Sequence, residues 1–218
     1  TAFPTHKQVV IIGGGIVGCS VAYHLTKLGW KDVVVLERKT LTCGTTWHAA
    51  GLVGQLRSTA NITKLAQYTS KLYATLEEET GQATGFKQTG SISVATNPER
   101  FEELKRGASM ARVFDLEVEM ATPEDLAAVW PLAYTGDMVG GVYLPGDGQT
   151  NPIDTTMALA KGAKMGGAQV FEETKVTGIL KKDGLVTGVS TEKGDIQAEF
   201  VVNCGGMWAR ALGNMAGV

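Results

Sequence analysis

The chain has 218 residues, 44% hydrophobic and 19% charged, the balance of an ordinary globular protein. Lys and Arg number 20 against 22 Asp and Glu, and the net charge of −2 gives no footing for a nucleic-acid-binding surface. No apolar run approaches the ~20 residues that a bilayer span requires.

The N-terminal TAFPTHKQ has neither a signal peptide's apolar core nor a transit peptide's arginines. A cytoplasmic chain is expected, with an already processed protein of the mitochondrial matrix as the alternative. Cys19, Cys43 and Cys204 are widely spaced with no CxxC, which predicts reduced thiols and no metal site.

The first predicted strand, Val9–Ile12, runs into Gly13-x-Gly15-x-x-Gly18. A helix follows, with Val21, Leu25 and Leu28 at helical spacing, and Gly29 stops it. A second apolar run, Val33–Leu36, ends on Glu37, 19 residues after Gly18. Each piece suits a dinucleotide. Gly13 permits a tight turn, Gly15 lets the backbone approach a pyrophosphate, and Gly18 allows helix and strand to pack closely. Ile16 and Val17 open the helix, where free N–H groups and the positive dipole end face an anion. Glu37 is placed to accept from ribose hydroxyls. That acid disfavours a 2′-phosphorylated nucleotide, although Arg38 beside it is the residue type such a phosphate would use. The motif alone leaves FAD and NAD both open.

Residues 42–54 are small, polar and glycine-rich and read as a loop. Ile62–Glu79 carries Leu65, Tyr68, Leu72 and Leu76 on one helical face and ends before Gly81. Ser91–Ala95 alternates as a strand. Pro98–Asp115 is again helical, with Phe101, Leu104, Ala108 and Ala111 together. Thr122-Pro123-Glu124-Asp125 opens a short helix with a Thr cap. Val139–Leu144 is a strand that stops at Pro145-Gly146-Asp147-Gly148.

Asn151-Pro152 caps a helix running to about Met165, and Gln169–Phe171 follows as a strand. This is a crossover back to a parallel sheet. Three strands then come at short intervals: Thr174–Lys181, Leu185–Thr191 and Gln197–Val202. Asp183-Gly184 and Lys193-Gly194 between them are hairpin signals. A three-stranded β-meander after the third parallel strand is the habit of large FAD-binding folds rather than of NAD-dependent dehydrogenases. The expected fold is therefore α/β: a Rossmann-like FAD-binding domain with a parallel sheet and a β-meander (residues 1–82 and 150–218). Part of an interwoven α+β substrate domain occupies 83–149.

The segment Cys43-Gly44-Thr45-Thr46-Trp47-His48-Ala49-Ala50-Gly51 resembles the sarcosine dehydrogenase and dimethylglycine dehydrogenase family of flavoproteins, within the D-amino-acid-oxidase-like group. The likeness continues through Leu76–Gly81, Pro145–Gly148 and Val201–Ala209, so it runs nearly from end to end. It implies that His48 carries FAD covalently through the flavin 8α-methyl group. Taken alone, an isolated His in such a loop is usually a solvated or hydrogen-bonded structural residue. Thr45, Thr46, Ala49, Ala50, Gly51 and Leu52 are expected beside the pyrophosphate or ribityl chain, although turn chemistry alone would also explain the threonines.

The resemblance also suggests backbone contacts from Val176 to the adenine. Asn203, Gly205 and Trp208 are expected to flank the phosphates, with a plain strand-ending turn equally open. It implies oxidation of a small N-methyl amine by FAD, with the imine passing to formaldehyde or to tetrahydrofolate on a domain beyond this chain. Oxygen or an electron-transfer flavoprotein would accept the electrons. Arg57 is a candidate partner for a substrate carboxylate, against a solvated surface arginine. Two alternatives stand beside this reading: a related amine or amino-acid oxidase, and a non-catalytic regulatory relative. The remainder of a longer polypeptide is expected to complete the substrate domain.

Overall fold

The computed structural model describes residues 2–218. In chain order its first elements are β1 (His6–Ile12), α1 (Ile16–Lys27), β2 (Val33–Leu36), a 3-10 turn (Thr46–His48), β3 (Leu52–Val53) and α2 (Ala60–Thr80). Next come β4 (Ser91–Ala95), α3 (Pro98–Val113), β5 (Glu119–Ala121), α4 (Pro123–Val129), β6 (Gly140–Leu144) and β7 (Gly148–Gln149). The chain then forms α5 (Pro152–Met165), β8 (Gln169–Phe171), β9 (Val176–Lys182), β10 (Leu185–Thr191), β11 (Gly194–Asn203), a second 3-10 turn (Gly206–Trp208) and α6 (Ala209–Ala216). Among the described residues no helix is long and apolar enough to cross a membrane.

The chain divides into two compact units. The first comprises Thr1–Ala50, Thr75–Gly85 and Asn151–Val218; the second comprises Gly51–Ala74 and Phe86–Thr150.

The first unit is built on a six-stranded sheet in the order β8-β2-β1-β11-β10-β9. Strands β8, β2, β1 and β11 run parallel, while β10 is antiparallel to both β11 and β9. The central strands read as unbroken apolar runs because both of their faces are covered. Val9, Val10, Ile11, Val33, Val34, Val35 and Leu36 are all nearly inaccessible. The meander thus belongs to the same sheet. Strand β11 is longer than its sequence predicts because it is used twice: its start pairs with β10, and His6–Ile12 lies alongside Gln197–Asn203.

Helix α1 departs from its expected face. Gly18, Cys19, Ala22 and Tyr23 are buried, whereas Leu28 is 76% exposed and Val21 and Leu25 are only half-buried. The reason is close packing against α5, which favours small residues over large aliphatic ones. A Cβ on Gly162 would fall 2.7 Å from the Tyr23 ring, and one on Gly166 would fall 2.5 Å from Thr26 Cβ. Tyr23 Oη and Lys27 Nζ both donate to Glu79 Oε2, at 2.6 and 2.7 Å, which ties α1 to the last turns of α2. The Lys27 and Tyr23 bonds hold the Glu79 carboxyl below its usual range. Asn151 caps α5 as expected, accepting from Ile153 N and Asp154 N.

The second unit holds the antiparallel sheet β4-β6-β5 and the short β3-β7 ribbon. Helix α3 packs Ala108 and Leu104 against Val142 and Leu144. Thr122 and Asp125 form a reciprocal capping box at α4. Asp147 is the staple of this unit: its buried carboxylate accepts from Gln55 N at 2.8 Å and from Ser91 Oγ at 2.6 Å. The expected apolar face of α2 is only partly used, since Leu76 is fully buried while Leu65 and Tyr68 stay largely exposed.

Candidate functional site

The turn after β1 is shaped by four glycines, each for a different steric reason. Gly13 sits at φ +115°, and a Cβ there would meet the Cys204 carbonyl oxygen at 2.3 Å. A Cβ on Gly14 would strike Leu41 Cδ2 at 2.5 Å and Glu37 Cβ at 2.8 Å. Gly15 is extended and caps α1; only Thr46 Oγ1, at 3.1 Å, would meet a Cβ there. A Cβ on Gly18 would lie 1.9 Å from the Gly13 carbonyl oxygen. Gly18 therefore packs on the turn itself, a tighter constraint than the helix–strand contact that the motif predicts.

Glu37 ends β2 with its carboxylate buried. Oε2 accepts from Gly14 N at 2.8 Å, and Oε1 accepts from Lys39 N at 2.9 Å and from Cys43 Sγ at 3.6 Å. The acid thus clamps the glycine turn to the loop after β2, a role its sequence position does not reveal. Two oxygens still leave lone pairs for a ribose hydroxyl.

The Thr45–Gly51 segment starts with a 3-10 turn. Here Thr46 is buried, and its Oγ1 accepts from Ile16 N at 3.1 Å. The hydroxyl expected to meet a cofactor is thus already bonded to the first N–H of α1. His48 N donates to Thr45 O and Ala49 N to Thr46 O, both at 3.1 Å. The His48 ring is exposed and lies against Trp47, with centroids 3.8 Å apart and the planes tilted by 35°.

Opposite this loop stand β9 and the β11–α6 connection. Asn203 Oδ1 accepts from Gly205 N, and its Nδ2 donates to Ala209 O, so the side chain shapes the turn. The Arg38 guanidinium lies 3.9 Å from the centre of the Trp208 ring.

Between these walls runs a cleft of about 440 Å³. Of the expected site residues it brings together Gly13, Gly15, Ile16, Val17, Glu37, Arg38, Thr45, Thr46, Ala49, Val176, Gly205 and Trp208. Gly18, His48, Ala50 and Asn203 lie outside its lining. Gly51, Leu52 and Arg57 belong to the second unit, where the exposed Arg57 guanidinium donates to Leu56 O. Residues not anticipated also line the cleft, notably Leu36, Cys43, Lys175, Cys204, Leu212 and Met215. Leu212 and Met215 come from α6, whose apolar spacing with Trp208 could have signalled it.

The residues present fit the ADP half of FAD. The open side of Gly15 leaves backbone room at a helix N-terminus, the apolar walls suit an adenine, and Glu37 stands at the end of β2.

Three thiols adjoin this turn, and the pKa of each is raised. Burial, aided by the Glu37 charge, pushes the Cys19 thiol up to about 12 from an ordinary 9.0. Burial and then Glu37 raise Cys43, and burial raises Cys204. Alkylation of the folded protein at pH 7.5 is therefore expected to be slower at each thiol than for free cysteine, with Cys19 reacting only on unfolding. Mass-spectrometric rates at each site check this; one fast-reacting thiol in the native protein would contradict it.

Residues 8–218 match the FAD dependent oxidoreductase family (DAO). The chain is 43% identical to the mitochondrial sarcosine dehydrogenase of Homo sapiens, over 99% of this chain and 24% of that protein. It is 44% identical to the mitochondrial pyruvate dehydrogenase phosphatase regulatory subunit of Mus musculus, over 97% of this chain and 24% of that protein. Among solved structures, L-proline dehydrogenase from P. horikoshii superposes with a TM-score of 0.94 at 31% identity, covering 99% of this chain and 57% of that one. The chain spans about a quarter of the length of these curated relatives. A dinucleotide turn, a sheet with an appended meander and a match over nearly every residue lead to one conclusion: the chain belongs to the FAD-dependent oxidoreductase family.

Proposed function

We propose that this chain supplies the cofactor-binding part of an enzyme that oxidatively demethylates an N-methyl amino acid of the sarcosine or dimethylglycine type. The observation that carries the reading is the convergence on one helix N-terminus of the Gly13–Gly18 turn, buried Glu37 and the Thr46–His48 turn. The 43% identity to a sarcosine dehydrogenase over nearly the whole chain supports it.

In this reading residues 1–82 and 150–218 hold the cofactor, and 83–149 contribute to the substrate domain. Backbone N–H groups at Gly15 and Val17, and that of Ile16 in competition with Thr46 Oγ1, take the pyrophosphate, while Glu37 accepts from the ribose. Arg38, Val176, Asn203, Gly205 and Trp208 border the adenosine and phosphates. Thr45, Ala49, Ala50, Gly51 and Leu52 approach the ribityl side. FAD, when bound, accepts the hydride equivalent lost by the substrate methyl group. The resulting imine takes up water and releases formaldehyde, or passes its one-carbon unit to tetrahydrofolate on a domain outside this chain. Arg57 is proposed to pair with the substrate carboxylate, and oxygen or an electron-transfer flavoprotein to take the electrons. The mitochondrial relatives support a mitochondrial location over a cytoplasmic one.

His48 is proposed to hold FAD covalently. A bond forms between an imidazole nitrogen and the flavin 8α carbon. The hydrogens displaced from that nitrogen and that carbon leave as two protons and two electrons, which dioxygen takes up as hydrogen peroxide. Flavin fluorescence on a denaturing gel tests this: full-length wild type is expected to glow and His48→Ala to run dark. A dark wild type sinks the covalent assignment.

A second reading has a specific observation behind it, the 44% identity to a phosphatase regulatory subunit. Flavin that is bound but not bleached by any N-methyl amine under anaerobic conditions would favour that regulatory role.

A further inference from the structure

We infer that Thr46 is a positioning residue that couples the nucleotide turn to the Trp47–His48 pair; its bearing on flavin attachment rests on the reading of His48 above. Helix α1 begins at Ile16 with Gly15 as its N-cap, and a glycine has no side chain with which to satisfy the first N–H groups. The missing cap is supplied from a different loop. Thr46 Oγ1 accepts from Ile16 N at 3.1 Å and also borders Gly15, where a Cβ would sit 3.1 Å from it. Thr46 is 9% exposed, so solvent cannot readily replace this bond.

The same residue starts the 3-10 turn that carries His48. Thr46 O accepts from Ala49 N, Thr45 O accepts from His48 N, and the Trp47 ring lies against the imidazole, tilted by 35°. The imidazole thus stands two residues from a hydroxyl bonded to the helix end that faces the cleft. An anion at the α1 N-terminus would compete with Thr46 Oγ1 for the Ile16 N–H and so pull on that bond. That pull is transmitted to Trp47 and His48 through one short turn. In the absence of the hydroxyl, the turn loses its tie to α1 while the Gly13–Gly18 turn and Glu37 stay intact.

The test compares wild type, Thr46→Val and Thr46→Ser, all full-length and stripped of flavin in a His48→Ala background, with ADP as the probe. Trp47 is followed as the fluorescence difference against matching Trp47→Phe proteins. ADP is expected to change the Trp47 signal in wild type and Thr46→Ser. In Thr46→Val the change should be lost at ADP concentrations that calorimetry shows to saturate the variant. In the His48-containing proteins, the rate of covalent flavin attachment is expected to fall about tenfold in Thr46→Val and to recover in Thr46→Ser, the size of a lost cap. An undiminished Trp47 response in Thr46→Val overturns the proposal, as does loss of ADP binding in parallel with the response. If wild type attaches no flavin but the Trp47 response still depends on the hydroxyl, the coupling stands and the assignment of His48 falls.

Discussion

Gly18→Ala is expected to abolish measurable ADP and FAD binding and to lower the melting temperature by several degrees. The added methyl would sit 1.9 Å from the Gly13 carbonyl oxygen and 3.4 Å from Cys204 Cβ. The first of these contacts is backbone, so no rotamer change relieves it, and α1 must back away from the turn. Overpacking of this kind costs about 1–3 kcal/mol or more, a large share of the ~5–15 kcal/mol that stabilises a typical domain. Retreat of the helix also stretches the Ile16–Thr46 bond and removes the N–H groups from the cleft. Gly15→Ala is the control. Its methyl meets only Thr46 Oγ1, at 3.1 Å rather than 1.9 Å, so the protein should melt closer to wild type than Gly18→Ala while losing affinity because the backbone no longer admits a phosphate. Calorimetric titration with ADP and thermal unfolding of both variants give the two readouts. Near-normal ADP binding by Gly18→Ala would mean that the turn is not rigid.

The contrast between those two glycines shows what the linear pattern conveys. The spacing Gly13-x-Gly15-x-x-Gly18 after an apolar run is legible because the pattern itself is complete within six residues, even though Gly13 and Gly15 are also bounded by the distant Cys204 and Thr46. Strands Val33–Leu36, Ser91–Ala95 and Gln169–Phe171, the Asn151 and Thr122 caps and the final hairpins are legible for the same reason. What depends on distant partners is not. The buried face of α1 is decided by Gly162 in α5 and Gly166 at its C-cap, so the aliphatic spacing of Val21, Leu25 and Leu28 misleads. Thr46 reads as a turn residue or a cofactor contact until Ile16, 30 residues earlier, is seen to need its hydroxyl. Strand β5 and the two-residue strands β3 and β7 exist only through their pairing, and three or two residues carry no period of their own. Asp147 looks like a turn residue in Pro145–Gly148, yet its carboxylate reaches back to Gln55 and Ser91.

Glu37→Gln is expected to weaken ADP binding by about 10–100-fold, and for two separable reasons. The carboxylate accepts from Gly14 N, Lys39 N and the Cys43 thiol with only two oxygens, and all of this lies in a buried site. An amide keeps one acceptor and turns an NH₂ toward a backbone N–H, which leaves a buried donor unsatisfied at about 1–3 kcal/mol. The turn loosens, and the ribose loses a charged acceptor. Glu37→Asp is one methylene too short to hold Gly14 and Lys39 together, so it should lose affinity as well while keeping its charge. The thiols separate these effects. The Glu37 charge contributes to raising both Cys19 and Cys43, so its removal lets their pKa values fall. Cys43 should therefore alkylate faster in Glu37→Gln than in wild type at pH 7.5, and in Glu37→Asp any faster reaction would report opening of the turn rather than loss of charge. If Glu37→Gln binds ADP normally and its Cys43 reacts no faster, the acid neither clamps the turn nor sets the potential around it.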